Sequence, residues 1–118
     1  MILIIYFQHK DFFYPNKHWS DFSVIILSWW TQACKRIFNG SLEEEFLFMD
    51  GSYFFKVFKN QNSYDAVFYD DEDNKIYEIY NFPVKEFCKE VKKASNSVIK
   101  YIKKDSSLNE LENAINTI

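Results

Sequence analysis

His9, Asp11 and His18 are the first residues along the chain whose side chains could carry chemistry. A histidine near a carboxylate is the common general-base pairing, and here two histidines flank a loop that contains the acid. A working base also needs an orienting partner and a substrate pocket, and no nucleophile elbow, HExxH or paired-carboxylate pattern accompanies these residues. Asp50, in the stretch FLFMDGSYFF (46–55), is a second candidate acid, placed where two apolar runs meet. It has no histidine or second carboxylate near it to act with. Asp-Gly is instead a strong short hairpin signal, since both central residues of such a turn accept positive φ. The expectation is therefore a turn between strands, with no catalytic residue.

Metal and cofactor chemistry find little footing. DDEDNK (70–75) is dense in carboxylates, but it lacks the glycine and closing glutamate of a calcium loop, and strand-like segments flank it. Cys34 and Cys88 lack metal-ligand spacing and fall on apolar helical stripes, which implies reduced, buried thiols. Gly40 and Gly51 are the only glycines, and neither belongs to a phosphate-binding loop. No metal and no cofactor are expected.

Charge is more informative. Residues 1–41 carry a net +2, residues 42–82 a net −7, and residues 83–118 a net +2. The acidic middle repels nucleic acid and favours encounter with a cationic partner. Its carboxylates are interleaved with Tyr53, Tyr64, Tyr69, Tyr77 and Tyr80. Tyrosine offers large, stiff contact area with a polar tip, so this mixture suits a protein-binding surface. Tyr69, Asp70, Asp71, Glu72, Asp73 and Tyr77 are the partner-binding candidates. The plain alternative is that strand ends and turn tips are simply solvated by carboxylates.

The elements that must position these residues follow from periodicity. Residues 2–7 (ILIIYF) predict a buried strand, and Pro15 and Asn16 predict a loop over 11–19. A helix is predicted over about 21–38, capped by Ser20 or Asp21, with apolar surface on more than one side. Strand-like stretches at 43–50, 53–59, 63–70 and 75–81 are separated by turn signals and predict a meander. One face would carry Phe46, Phe48, Phe55, Val57, Ala66, Phe68, Ile76 and Tyr80. Pro83 opens a second long helix with lysines on its outer face, and Ser107 with Glu110 would cap a short last one. The order β-α-β-β-β-β-α-α predicts a single α+β domain over 1–118. It would be a two-layer sandwich, an antiparallel sheet of four to five strands packed by helices and joined by the first strand.

WSDF (19–22), ILSWW (26–30) and FLFMDGSYFF (46–55) together resemble small bacterial immunity proteins of polymorphic-toxin and contact-dependent growth-inhibition systems. The resemblance spans roughly residues 12–58. It implies a non-enzymatic, cytoplasmic protein that binds a cognate toxin domain, commonly a nuclease, and neutralises it. The matching residues carry no shared toxin-binding set, so none is transferred. A regulatory or adaptor domain would share the acidic tyrosine surface without protecting cells from a toxin. A small hydrolase would instead show a pocket holding His9 or His18 with a carboxylate. The apolar N-terminal run is too short and lacks the basic flank of a signal sequence, and no run approaches a membrane span, so neither a membrane nor a nucleic acid is an expected partner.

Overall fold

Phe46, Phe55 and Phe68 are fully buried, and their register explains the rest of the architecture. In the computed structural model, which describes residues 2–101 and Ile115, they stand opposite one another on three adjacent strands. Four strands, β5 (Glu43–Leu47), β6 (Phe54–Asn60), β7 (Ser63–Tyr69) and β8 (Lys75–Ile79), form an antiparallel meander in sequential order. Strand side chains alternate between faces, so Phe46, Phe55, Val57, Ala66 and Phe68 all point one way. That inner face is where the core lies.

Three pieces of chain cover it. The helix α1 (Ser23–Phe38) brings Trp30, whose ring lies 5.9 Å from Phe46 and 5.6 Å from Phe55. The helix α2 (Val84–Tyr101) brings Phe87, 5.1 Å from Phe46. A hairpin of β2 (Phe7–His9) and β3 (Phe12–Tyr14) brings Phe7, Phe12 and Tyr14 within 4.8–5.2 Å of Phe68. Lys10, at φ +53, turns this hairpin. Edge-on ring pairs of this kind add about 0.5–1.5 kcal/mol each beyond the area they bury. The chain is thus α+β, a sheet covered on one face by helices.

Several local expectations are corrected. The first strand does not join the sheet: β1 (Ile2–Ile4) pairs with β4 (Ser20–Phe22) in a separate antiparallel ladder. The segment 11–19 is not wholly loop, because Phe12–Tyr14 pairs with β2. Neither Ser20 nor Asp21 caps α1, whose N-cap is Phe22 without a side-chain bond. Ile76 and Tyr80 do not face the core; they are 48% and 73% exposed. A bulge between Phe68 and Tyr69 shifts the β7–β8 register by one residue, which turns Tyr77 and Ile79 inward instead. The short helix expected after Ser107 lies outside the described residues except for Ile115, which is helical and buried.

Asp21 has a different task from capping. Its carboxylate is 1% exposed and accepts from Trp19 Nε1 (3.0 Å), the Phe22 amide (2.7 Å) and the Asp50 amide (3.0 Å). A buried charge is tolerable only with such partners. The carboxylate thereby ties the WSDF segment to the Asp50–Gly51 turn. Gly51 alone takes positive φ there (+87), and the Phe48 amide bonds the Tyr53 carbonyl to close the loop. Replacing Asp21 by Ala leaves three donors unpaired and is expected to cost about 2–4 kcal/mol. A lowered urea midpoint at unchanged m would show this, with Asp21→Asn falling between the two.

Between the helices, Cys34 and Cys88 are both free and buried. A hydrogen bond with Cys88, and then burial, push the Cys34 thiol far above its ordinary range. The thiolate is the reactive form, so native protein should resist Ellman's reagent even at alkaline pH while denatured protein reacts fully. Rapid labelling of the native state would contradict this packing.

Candidate functional site

Filling the inner face with Phe55 and Phe68 sends Phe54 and Tyr69 to the other side of the sheet. On that face Asp65 and Val67 are buried, Phe54 and Tyr69 are half-buried, and Leu47 is exposed. Cross-strand pairing arranges this outer face in rows, and one row runs Leu47, Phe54, Tyr69, Lys75. Phe54 and Tyr69 stack at 4.7 Å with their planes 13° apart, and Leu47 beside them is 44% exposed. A second row is Glu45, Lys56, Val67 and Glu78. The Leu47–Tyr69 row lies at the end of the sheet that carries the Asp50–Gly51 loop and the Asp70–Asn74 turn.

The sheet's carboxylates divide into two groups. Glu44 faces inward and is held by Arg36 Nε at 2.8 Å and Ser41 Oγ at 2.6 Å, pinning the end of α1 to β5. Asp65, 5% exposed, accepts from Asn60 Nδ2 (3.0 Å) and the Asn81 amide (2.9 Å), which braces the chain between β8 and α2. Glu78 pairs with Lys75 at 2.5 Å and accepts from the Tyr80 hydroxyl. Those bonds, Lys75 foremost, hold its carboxyl below the usual range. Glu43, Glu45, Asp50, Asp71, Glu72 and Asp73 are exposed and make no side-chain bond to another described residue.

The sequence-based candidates fall on both sides of this division. Asp71, Glu72 and Asp73 form the exposed tip of the β7–β8 turn, with Asp73 at φ +63. Asp70 shapes that tip from within: its Oδ1 accepts the amides of Glu72 and Asn74, each at 2.9 Å. Tyr69 lies on the outer face beside the tip, stacked on Phe54. Its carbonyl and that of Phe54 accept from the buried Tyr14 hydroxyl, which fastens β3 under this end of the sheet. Tyr77 faces inward, where Phe12 stacks on it at 3.8 Å and its hydroxyl meets His9 Nδ1 at 3.0 Å. It latches the N-terminal hairpin and does not share a surface with Tyr69. Sequence reasoning passed over Phe54 and Leu47, although alternation from an inward Phe55 and Phe46 places both outward.

The hydrolase arrangement can be judged on the same geometry. A groove of about 400 Å³ between β2 and α2 holds His9, with Glu86 and Glu90 among its lining residues. His9 is engaged by Tyr77, and among the described residues it has no carboxylate at ion-pairing distance. Among the described residues no serine, threonine or cysteine lines the groove, and none of them forms a nucleophile–base pair with His9 there. His18 is exposed and stands edge-on to Tyr6. Among the described residues no cluster of three ligating side chains could hold a metal, and no helix is long and apolar enough to cross a membrane.

Scanned against protein-family models, curated proteins and solved structures, the chain matches none of them.

The Asn74 amide above all, with the Glu72 amide and the Asn74 side chain, holds the Asp70 carboxyl below its ordinary value of 3.8. The folded value is the lower one. The carboxylate's stabilisation of the turn is therefore complete above the unfolded aspartate range and is lost as pH falls through the folded value. Side-chain carbon NMR should give Asp70 a midpoint below 3.8, with Glu72 and Asn74 amide shifts titrating in step. A midpoint at or above 3.8 would show that this carboxylate does not hold the turn.

Proposed function

We propose that this chain is a cytoplasmic immunity protein that binds a cognate bacterial toxin domain, a nuclease, and neutralises it by occluding it with an acidic, aromatic surface. The observation that carries the proposal is the contiguity of two features. The row of exposed Leu47 and half-buried Phe54 and Tyr69 borders the free carboxylates of Asp71, Glu72 and Asp73. A nuclease presents basic groups to the phosphates of its substrate. Carboxylates on a rigid turn attract such a surface and speed the encounter, while apolar anchors beside them slow dissociation. The covered inner face and the structural carboxylates keep the surface rigid, so little order has to be acquired on binding. The resemblance of WSDF, ILSWW and FLFMDGSYFF to immunity proteins points the same way. Those residues build the frame behind the surface: Asp21 and Trp19 hold the Asp50 loop, and Trp30 backs Phe46 and Phe55.

Co-expression with nuclease toxin domains, beginning with any encoded beside this gene, should restore growth against one of them, which separates an immunity protein from an adaptor. Reversing Asp71 and Glu72 to Lys and neutralising Asp73 to Asn, which tolerates the φ of +63, should weaken the purified complex by at least about tenfold, mainly in the association rate, with an unchanged unfolding midpoint. Leu47→Arg should raise the dissociation rate by a similar factor. Asp70 is left out because it shapes the turn. Affinity unaffected by all four substitutions would refute the assignment of this surface.

A further inference from the structure

The groove between β2 and α2 plays no part in the outer-face surface and has a chemistry of its own. Its volume of about 400 Å³ falls in the range of small-molecule sites. Its base is aromatic: Phe7, Phe82 and Phe87 lie within 6.1 Å of one another, and Trp30 is 6.1 Å from Phe87. One wall is a single stripe of α2, in which Glu86, Glu90 and Ala94 recur every fourth residue. Both carboxylates are exposed, and neither forms an ion pair among the described residues. Among the described residues no lysine or arginine lines the groove; the facing side carries Gln8 and His9.

Glu86 suits the helix dipole, and Lys89 and Lys93 stand three residues on from Glu86 and Glu90, so what singles the two carboxylates out is their shared place along the groove. Placed together at the lip of an aromatic groove, the two carboxylates supply the charge and the rings supply the faces that attract a cation with an apolar shell. We infer that the groove is a binding site for an organic cation, an ammonium group carried on a compact apolar body. The body lies on the half-buried rings of Phe7 and Phe87, with Trp30 and Phe82 buried behind them, and the ammonium stands between Glu86 and Glu90. An anionic ligand of the same shape is repelled, and a neutral one gains only the apolar contact.

The test uses octyltrimethylammonium, octanol and octanoate, with binding read from the NMR shifts of the Val91 and Ala94 methyl groups and the Trp30 indole N–H. The ammonium should bind at least about tenfold tighter than the alcohol, and octanoate weakest. Glu86→Gln with Glu90→Gln should lower the ammonium affinity at least about fivefold and leave octanol unchanged. Ala94→Trp, which fills the mouth, should remove binding of all three, with near-UV dichroism reporting that the fold is retained. Equal affinity for the three probes, indifference to the glutamine pair, or shifts confined to the Asp71–Asp73 turn would each overturn the inference. Absence of any groove shift with all three probes would overturn it as well.

Discussion

Phe46, Phe55 and Phe68 form a slab of rings across three strands, with 5.0 Å between the first pair and 4.7 Å between the second. Each such side chain contributes about 1.5–3 kcal/mol by leaving water. Trp30 and Phe87 close over one end, and Phe7, Phe12 and Tyr14 over the other. Because a strand alternates with period two, committing these rings to one face decides what the other face must show. Phe54 and Tyr69 are outward for that reason, and the helices and hairpin are drawn to the ring-bearing side. The commitment of the rings to one face of the sheet is the constraint from which both the fold and the candidate surface descend.

Charge is organised around the same asymmetry. Carboxylates at joints are spent inside the protein: Asp21 between β4 and the Asp50 loop, Glu44 between α1 and β5, Asp65 ahead of α2. Asp21 and Asp65 are buried and satisfied by N–H donors, without a cation at ion-pairing distance among the described residues. That arrangement suits a directional brace, since each donor fixes an angle as well as a distance. The sheet's other carboxylates, Glu78 apart, collect on exposed turns and on β5, where they give the sheet its negative edge. An acidic composition alone would not separate these two populations; the hydrogen bonds do.

Much of this was legible in the chain. The run from Val24 to Ile37 at helical spacing, the four strand-like stretches with their turn signals, and the buried cysteines all correspond to what the structure holds. What stayed hidden depends on long-range contacts. Phe12–Tyr14 looked like loop because Pro15 follows it, yet Phe68 and Tyr77 give its rings a place to bury. A single bulge beside Tyr69 exchanged the faces of Ile76 and Tyr77, and no residue in that strand signals it. Asp21 read as a helix cap because a cap needs only local sequence, whereas its third donor comes from Asp50, far along the chain. In the candidate site, the acidic tip and Tyr69 were visible from composition. The same bulge turns Tyr77, a partner-binding candidate by composition, to the inner face, and Phe54 and Leu47 stand outward only once Phe55 and Phe46 are known to face in.

In the proposed complex the outer face of the sheet, together with its acidic turn, meets the partner. The most direct measurement is cross-saturation NMR on the labelled chain bound to an unlabelled toxin domain that it neutralises in a growth assay. Saturation concentrated on Leu47, Phe54, Tyr69 and Asp71–Asp73 is the expected result. Saturation confined to the lysine-bearing side of α2, with those residues untouched, would contradict the account.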